Sequence, residues 1–312
     1  MKARRFLAGA AWLVSLVLTA QADEYTDGIA AAENARNTLW GASVFSSLTV
    51  IDDSLLHSIV VDDGNGGTKS IEAVRVTTLT NFLTPYEHAT FLQPFTVDTT
   101  GNFRSNMWVT VAGELRDYYF SHGLPVTDNN TVTGYMQQAL GLGLWGPYEA
   151  LTFYVEPEYI TRPSFAPSIS ENAAPTWTGS SYTFTDIGGG VDDSFIGFAP
   201  TVLDSSGTNY ERPFTEFAGA ETYEDWLTAW SDASYNTDAN RAFPYTALGW
   251  TWNWNPDPDL NGFALSEFIV SGGATYYFVD LVQPIGLVPE PGACWLFATA
   301  AGWLLLRRRS LP

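Results

Sequence analysis

Alternation of period two runs through the middle of the chain. Ile71 to Thr80 sets Ile, Ala, Arg and Thr on one face against Glu, Val, Val and Thr on the other, the spacing of a strand. Met107–Ala112, Leu151–Val155, Ser181–Thr185 and Ala274–Val279 share this Val-, Thr-, Tyr- and Phe-rich character. Val44–Ile51 and Ser58–Val61 are β-branched runs and predict two more strands. Between such runs, Val61-Asp-Asp-Gly-Asn-Gly-Gly67 is a turn and predicts a hairpin. Many short strands closely spaced predict a mainly β fold, a β-sandwich or jelly-roll-like body with one or two short helices.

Helical signals are few. An Ala-rich stretch over 23–39 predicts one helix. Thr222 to Ser231 predicts another, with Thr222 as cap and acidic residues in the first turn. Trp226 and Trp230, at i and i+4, share a face of it that packs onto the sheet. Four prolines between Glu156 and Pro175 mark a long loop, or a boundary between two lobes near 160–175. One large body over 23–287 is the preferred division.

The two ends carry different patterns. Lys2, Arg4 and Arg5 precede an uncharged apolar run from Phe6 to Thr19, then Ala20-Gln21-Ala22. This is the layout of a secretory signal peptide over 1–22, cut after Ala22 by signal peptidase. At the other end, Val288-Pro289-Glu290-Pro291 precedes an apolar segment over 292–306 and then Arg307, Arg308 and Arg309. Those fifteen residues rise about 22 Å as a helix, against about 30 Å of hydrocarbon. Such a helix crosses the inner membrane only where the bilayer thins or the arginines snorkel. The arginine cluster stays cytoplasmic and places the body on the other side.

Residues 288–312 resemble the PEP-CTERM sorting signal of Gram-negative bacteria: a Pro-Glu-Pro motif, a short hydrophobic helix and an arginine cluster, in that order. The resemblance implies that Pro289, Glu290 and Pro291 are read by an exosortase, a membrane cysteine transpeptidase that cuts near the motif. It implies that Arg307, Arg308 and Arg309 stop transfer. It also implies an exported protein that is membrane-anchored before processing and ends at the envelope, the surface or an exopolysaccharide matrix.

Charge agrees with an exterior setting. The chain has 14 basic and 34 acidic residues and a net charge of −20. Six basic residues lie in 1–22 and 292–312, so the remaining body has eight against 34, a net −26. That balance repels phosphates and excludes nucleic acid as a partner. The single Cys, Cys294, lies in the C-terminal apolar segment, so the body has no disulfide framework and no thiol.

Catalytic signatures are sparse. His57, His88 and His122 fall in no metal-ligand spacing, and no nucleophile elbow or phosphate-binding loop occurs. Glu114, Glu149, Glu156 and Glu158 lie in or beside predicted strands, where a glycosidase pair would need a fixed separation. Trp250, Trp252 and Trp254 alternate and line one face of a strand. That face is either core or a platform for sugar rings. Asp257, Asp259, Asn261 and Gly262 match the first half of a calcium loop, but position twelve is Phe268 instead of an acid. An ordinary Asx-rich turn without a cofactor is the first expectation there, and calcium the second. Asp186 to Asp193 is a weaker Gly-Asp loop of the same kind.

The expectation is therefore a non-enzymatic, secreted envelope or matrix protein of structural or interaction type. A carbohydrate-binding module acting on exopolysaccharide is the alternative, and a polysaccharide-acting hydrolase the third reading.

Overall fold

A computed structural model describes residues 23–38, 42–80, 101–102, 107–143, 148–164, 176–177, 182–183, 202–203, 209–210, 223–236, 242–270, 274–282 and 284–288. Residues 1–22, where a signal peptide is expected, the 186–193 loop, residues 165–175 and the residues from Pro289 onward lie outside them. Among the described residues no helix is long and apolar enough to cross a membrane.

Helix α1 occupies 23–36, as its alanines predict, and α2 spans Ala42–Phe45. Strands β1 (Leu56–Asp62) and β2 (Thr68–Thr80) form the predicted hairpin, with Asp62 opposite Thr68. At its tip Asp63 Oδ1 accepts the Asn65 and Gly67 amides. Next come β3 (Gly101–Asn102), β4 (Met107–Val111), α3 (Glu114–Ser121), α4 (Asn129–Ala139) and β5 (Glu149–Val155). A 3-10 turn, Pro157–Tyr159, leads into β6 (Ile160–Thr161). Short strands β7 (Thr176–Trp177), β8 (Tyr182–Thr183), β9 (Val202–Leu203) and β10 (Asn209–Tyr210) make two small hairpins. Then follow α5 (Tyr223–Tyr235), β11 (Trp250–Asn253), β12 (Gly262–Ser266), β13 (Phe268–Val270), β14 (Thr275–Val282) and α6 (Pro284–Leu287).

The body is mainly β, with antiparallel sheets and few helices. Its main sheet runs β3-β14-β5-β2-β4-β13-β6, and β1 shares the β4 edge of the long strand β2. Alternation assigns the two faces. Val74, Val76, Met107, Val109, Val111, Leu151, Phe153, Val155, Phe268 and Val270 form one apolar core. On the opposite face, Leu79 and Ala150 meet Leu115, Tyr118 and Tyr119 of α3 and Val132 and Met136 of α4. Further along that face Trp108 stacks on Trp230 of α5 at 5.7 Å, the packing expected of Trp230; Thr222 and the side chain of Trp226 lie outside what is described. A second hairpin, β11–β12, packs against α1, α3 and α4.

Two sequence expectations need correction. Val44–Ile51 is not a strand: α2 and a turn occupy it, because Phe45 and Leu48 are drawn into an aromatic cluster with Tyr245 and Trp250. Glu114 lies beside β4, as expected, and opens α3, whose Leu115, Tyr118 and Tyr119 recur at helical spacing and are buried. Helix α4 was also not anticipated. Its cap is Asp128, whose carboxylate accepts the Asn130 and Thr131 amides.

Candidate functional site

The segment from Gly249 to Gly262 is the most distinctive stretch of the chain, and the structure buries most of it. Trp250, Trp252 and Trp254 are 7, 9 and 1% exposed. The pairing register shifts between Trp250 and Trp252, so the row is split. Trp250 joins Phe45, Leu48, Leu248 and Ile269. Trp252 and Trp254 join Ala32 and Ala35 of α1. Phe263 lies 5.3 Å from Trp252 and Tyr25 lies 5.2 Å from Trp254, both edge to face. No indole face is open to a sugar ring, so the row is core. The cause is the area at stake: each indole is among the largest apolar surfaces a chain can remove from water.

The polar residues of this segment are equally committed. Thr251 Oγ1 donates to the Ala139 carbonyl at the end of α4 and accepts the Leu265 amide. Asn253 Nδ2 donates to Tyr118 Oη, and Asn255 Nδ2 donates to Gln138 Oε1. Their carbonyl oxygens turn back on the chain. Asn253, Asn255 and Asp257 each accept the amide two residues ahead, at 2.8, 2.9 and 3.0 Å. Three successive Asx turns thus carry the chain from buried strand to exposed loop.

This ladder bears on the calcium half-loop. Asp257 Oδ1 is held by the Asp259 amide, and Asn261 Nδ2 reaches back to the Asn255 carbonyl at 3.0 Å. Among the described residues no three His, Cys, Asp or Glu side chains gather as a metal group. We expect the melting temperature in millimolar calcium to equal that in chelator. A saturable rise that Asp259→Ala abolishes would instead assign calcium to this loop.

Two of the carboxylates weighed for hydrolysis lie far apart. Glu149 and Glu156 stand at opposite ends of β5, about 23 Å apart at strand rise, far beyond a glycosidase pair. Glu156 accepts a hydrogen bond from Tyr277 Oη at 3.0 Å, and Glu158 is exposed in the 3-10 turn.

Glu114 is different. Its Oε1 accepts the Ser266 amide at 2.7 Å and its Oε2 accepts Thr110 Oγ1 at 2.8 Å. Ser266 Oγ accepts the Thr49 amide at 2.7 Å. One enclosed carboxylate therefore joins α3, β4, β12 and the segment before β1. Burial pushes its pKa up, against the hydrogen bonds that favour the charged form. Next to Ser266, at the corner between β12 and β13, Glu267 is buried too. Its amide donates to the Gly249 carbonyl at 2.9 Å, while its Oε2 has no hydrogen-bond partner. Burial holds this carboxyl well above the usual carboxylate range. In the sequence Glu267 stands one residue before position twelve of the calcium half-loop, and nothing there marks it as buried.

Of the residues expected to form a sorting motif only Val288 is described. It is 1% exposed and packs with the helical cluster of α3 and α4. Ala20, Ala22, Pro289, Glu290, Pro291 and Arg307–Arg309 lie outside the described residues. Comparison with protein-family models, with curated proteins and with solved structures finds no match to this chain.

Proposed function

We propose that this chain is an exported protein of structural or interaction type, passed through the inner membrane and sorted to the envelope or extracellular matrix by an exosortase. The observation that carries this reading is the order of parts in residues 288–312: Pro-Glu-Pro, a short apolar helix, three arginines. The acidic, thiol-free body supports an oxidising exterior. Non-enzymatic work is part of the same reading, supported by the dispersal of Glu149 and Glu156. So is a sandwich or jelly-roll form, supported by a main sheet with core clusters on both faces.

The test is expression in an exosortase-bearing host. Wild type is expected to begin at Asp23 and to lose its tail, whereas Glu290→Ala keeps the tail and stays in the membrane. Equal processing of both chains would reduce the tail to a plain anchor.

A further inference from the structure

Among the described residues, part of one face of the main sheet is left uncovered. Strands β1, β2, β5 and β14 are neighbours in that order, and His57 pairs with Ala73, Arg75 with Tyr154. These residues share the face that α3 and α4 cover only farther along, at Leu79 and Ala150. Here His57 and Arg75 are exposed, and Tyr154 is half-buried. The His57 and Tyr154 rings meet edge to face at 5.4 Å, next to Ala73, which is fully buried.

Phe278 extends this row. The register of β14 against β5 shifts between Tyr277 and Asp280, so β14 bulges there. Phe278 sits in the bulge at φ 53°, in the left-handed region that an aromatic residue rarely adopts. Its ring lies 6.3 Å from Tyr154, edge to face, and the residue is 39% exposed. A strained backbone is thus used to hold an apolar ring in water, the reverse of what stability alone selects. The Arg75 guanidinium lies 5.9 Å from the Tyr154 ring centroid. Among the described residues it makes no ion pair, in a chain where acids outnumber bases 34 to 14. Asp280, paired with Thr152, is exposed beside the bulge.

We propose that the His57–Arg75–Tyr154–Phe278 face binds a neutral pyranose oligosaccharide. The rings offer apolar surface for the C–H faces of sugars. Arg75 donates, Asp280 accepts, and the Tyr154 and His57 polar atoms do either, which matches hydroxyl groups that are both donor and acceptor. An open sheet face suits a chain lying across it. The body's charge of −26 disfavours polyanions, including nucleic acid and a second copy of this chain. The proposal is independent of how the chain is sorted.

The test is calorimetric titration of the purified full chain with cellohexaose, maltohexaose and laminarihexaose, and with hexagalacturonate as the anionic arm. At least one neutral hexasaccharide is expected to bind saturably, and more tightly than hexagalacturonate. Phe278→Gly removes the ring and suits the left-handed backbone, so it should weaken binding at least tenfold while the melting temperature holds or rises. Arg75→Met should weaken binding with no change in melting temperature. The proposal is overturned if no neutral sugar binds, if the anionic one binds more tightly, or if Phe278→Gly lowers the melting temperature and leaves binding unchanged.

Discussion

Trp254→Ala is expected to destabilise the protein by about 3–5 kcal/mol, the range for deleting a fully buried aromatic side chain. Three parts of the chain converge on this indole. Its Nε1 donates to the Leu142 carbonyl just beyond α4, at 3.0 Å. Tyr25 of α1 meets it edge to face. Gly28 lies so close that an added Cβ would fall 2.3 Å from the Trp254 Cβ. Removing the ring leaves a cavity under α1 and an unpaired carbonyl, so α1 should also become protease-sensitive. Urea denaturation and limited proteolysis measure the two effects. Gly28→Val attacks the same contact from the helix side and should give the same proteolytic pattern. A cost below about 1 kcal/mol, the range of ordinary surface changes, would show that α1 is held elsewhere.

Glu267→Gln is expected to flatten the decline of stability with rising pH. The folded state keeps Glu267 above its ordinary pKa, because burial opposes the charge and Oε2 has no partner. In the unfolded chain this group ionises near its usual value of about 4.3. Below that pH both states are protonated and the group's stability contribution is fully present. Above it the unfolded state releases the proton first, so stability falls by up to about 1.4 kcal/mol per pH unit. The fall ends once pH passes the folded pKa. Glu114 is shifted in the same direction and adds a decline of the same sign. Denaturation midpoints between pH 4 and pH 8 check this. Wild type should lose stability through that window, and Glu267→Gln should lose less. Parallel curves would mean that Glu267 finds a partner in solution.

How far the sequence was legible follows from what each signal measures. Ile71–Thr80 and Leu151–Val155 were readable because alternation and β-branching reflect a pleated strand directly, and both lie in the main sheet. Val44–Ile51 misled because β-branched composition is only a weak preference, which the burial of Phe45 and Leu48 overrode. Helix α4 was hidden by its own residues: Asn129, Asn130, Thr131, Thr133 and Gly134 are poor helix formers. Its hold comes from the Asp128 cap and from burial of Val132 and Met136. For the site, alternation of the three tryptophans implied one face, whereas Trp250 joins one core cluster and Trp252 and Trp254 another. Alternation could not say whether that face looks inward, nor that the register shift divides the row. The exposed row was invisible for a related reason. His57, Arg75, Tyr154 and Phe278 belong to four strands, and only pairing brings them together.

The placement of β14 has a kinetic consequence. The last long strand of the body is inserted between β3 and β5, with Tyr276 opposite Gly101 on one side and Val155 on the other. No order of synthesis lets the earlier strands complete that part of the sheet first. Until residues 275–282 emerge, one edge of β5 lacks its neighbour and β3 has no partner in the sheet. Such high contact order makes folding slow and leaves a sticky, unpaired edge exposed meanwhile. A chain truncated before β14 should therefore aggregate instead of folding in part. Only molecules that include residues 275–282 are able to acquire the native sheet, so fold completion waits on the last part of the body.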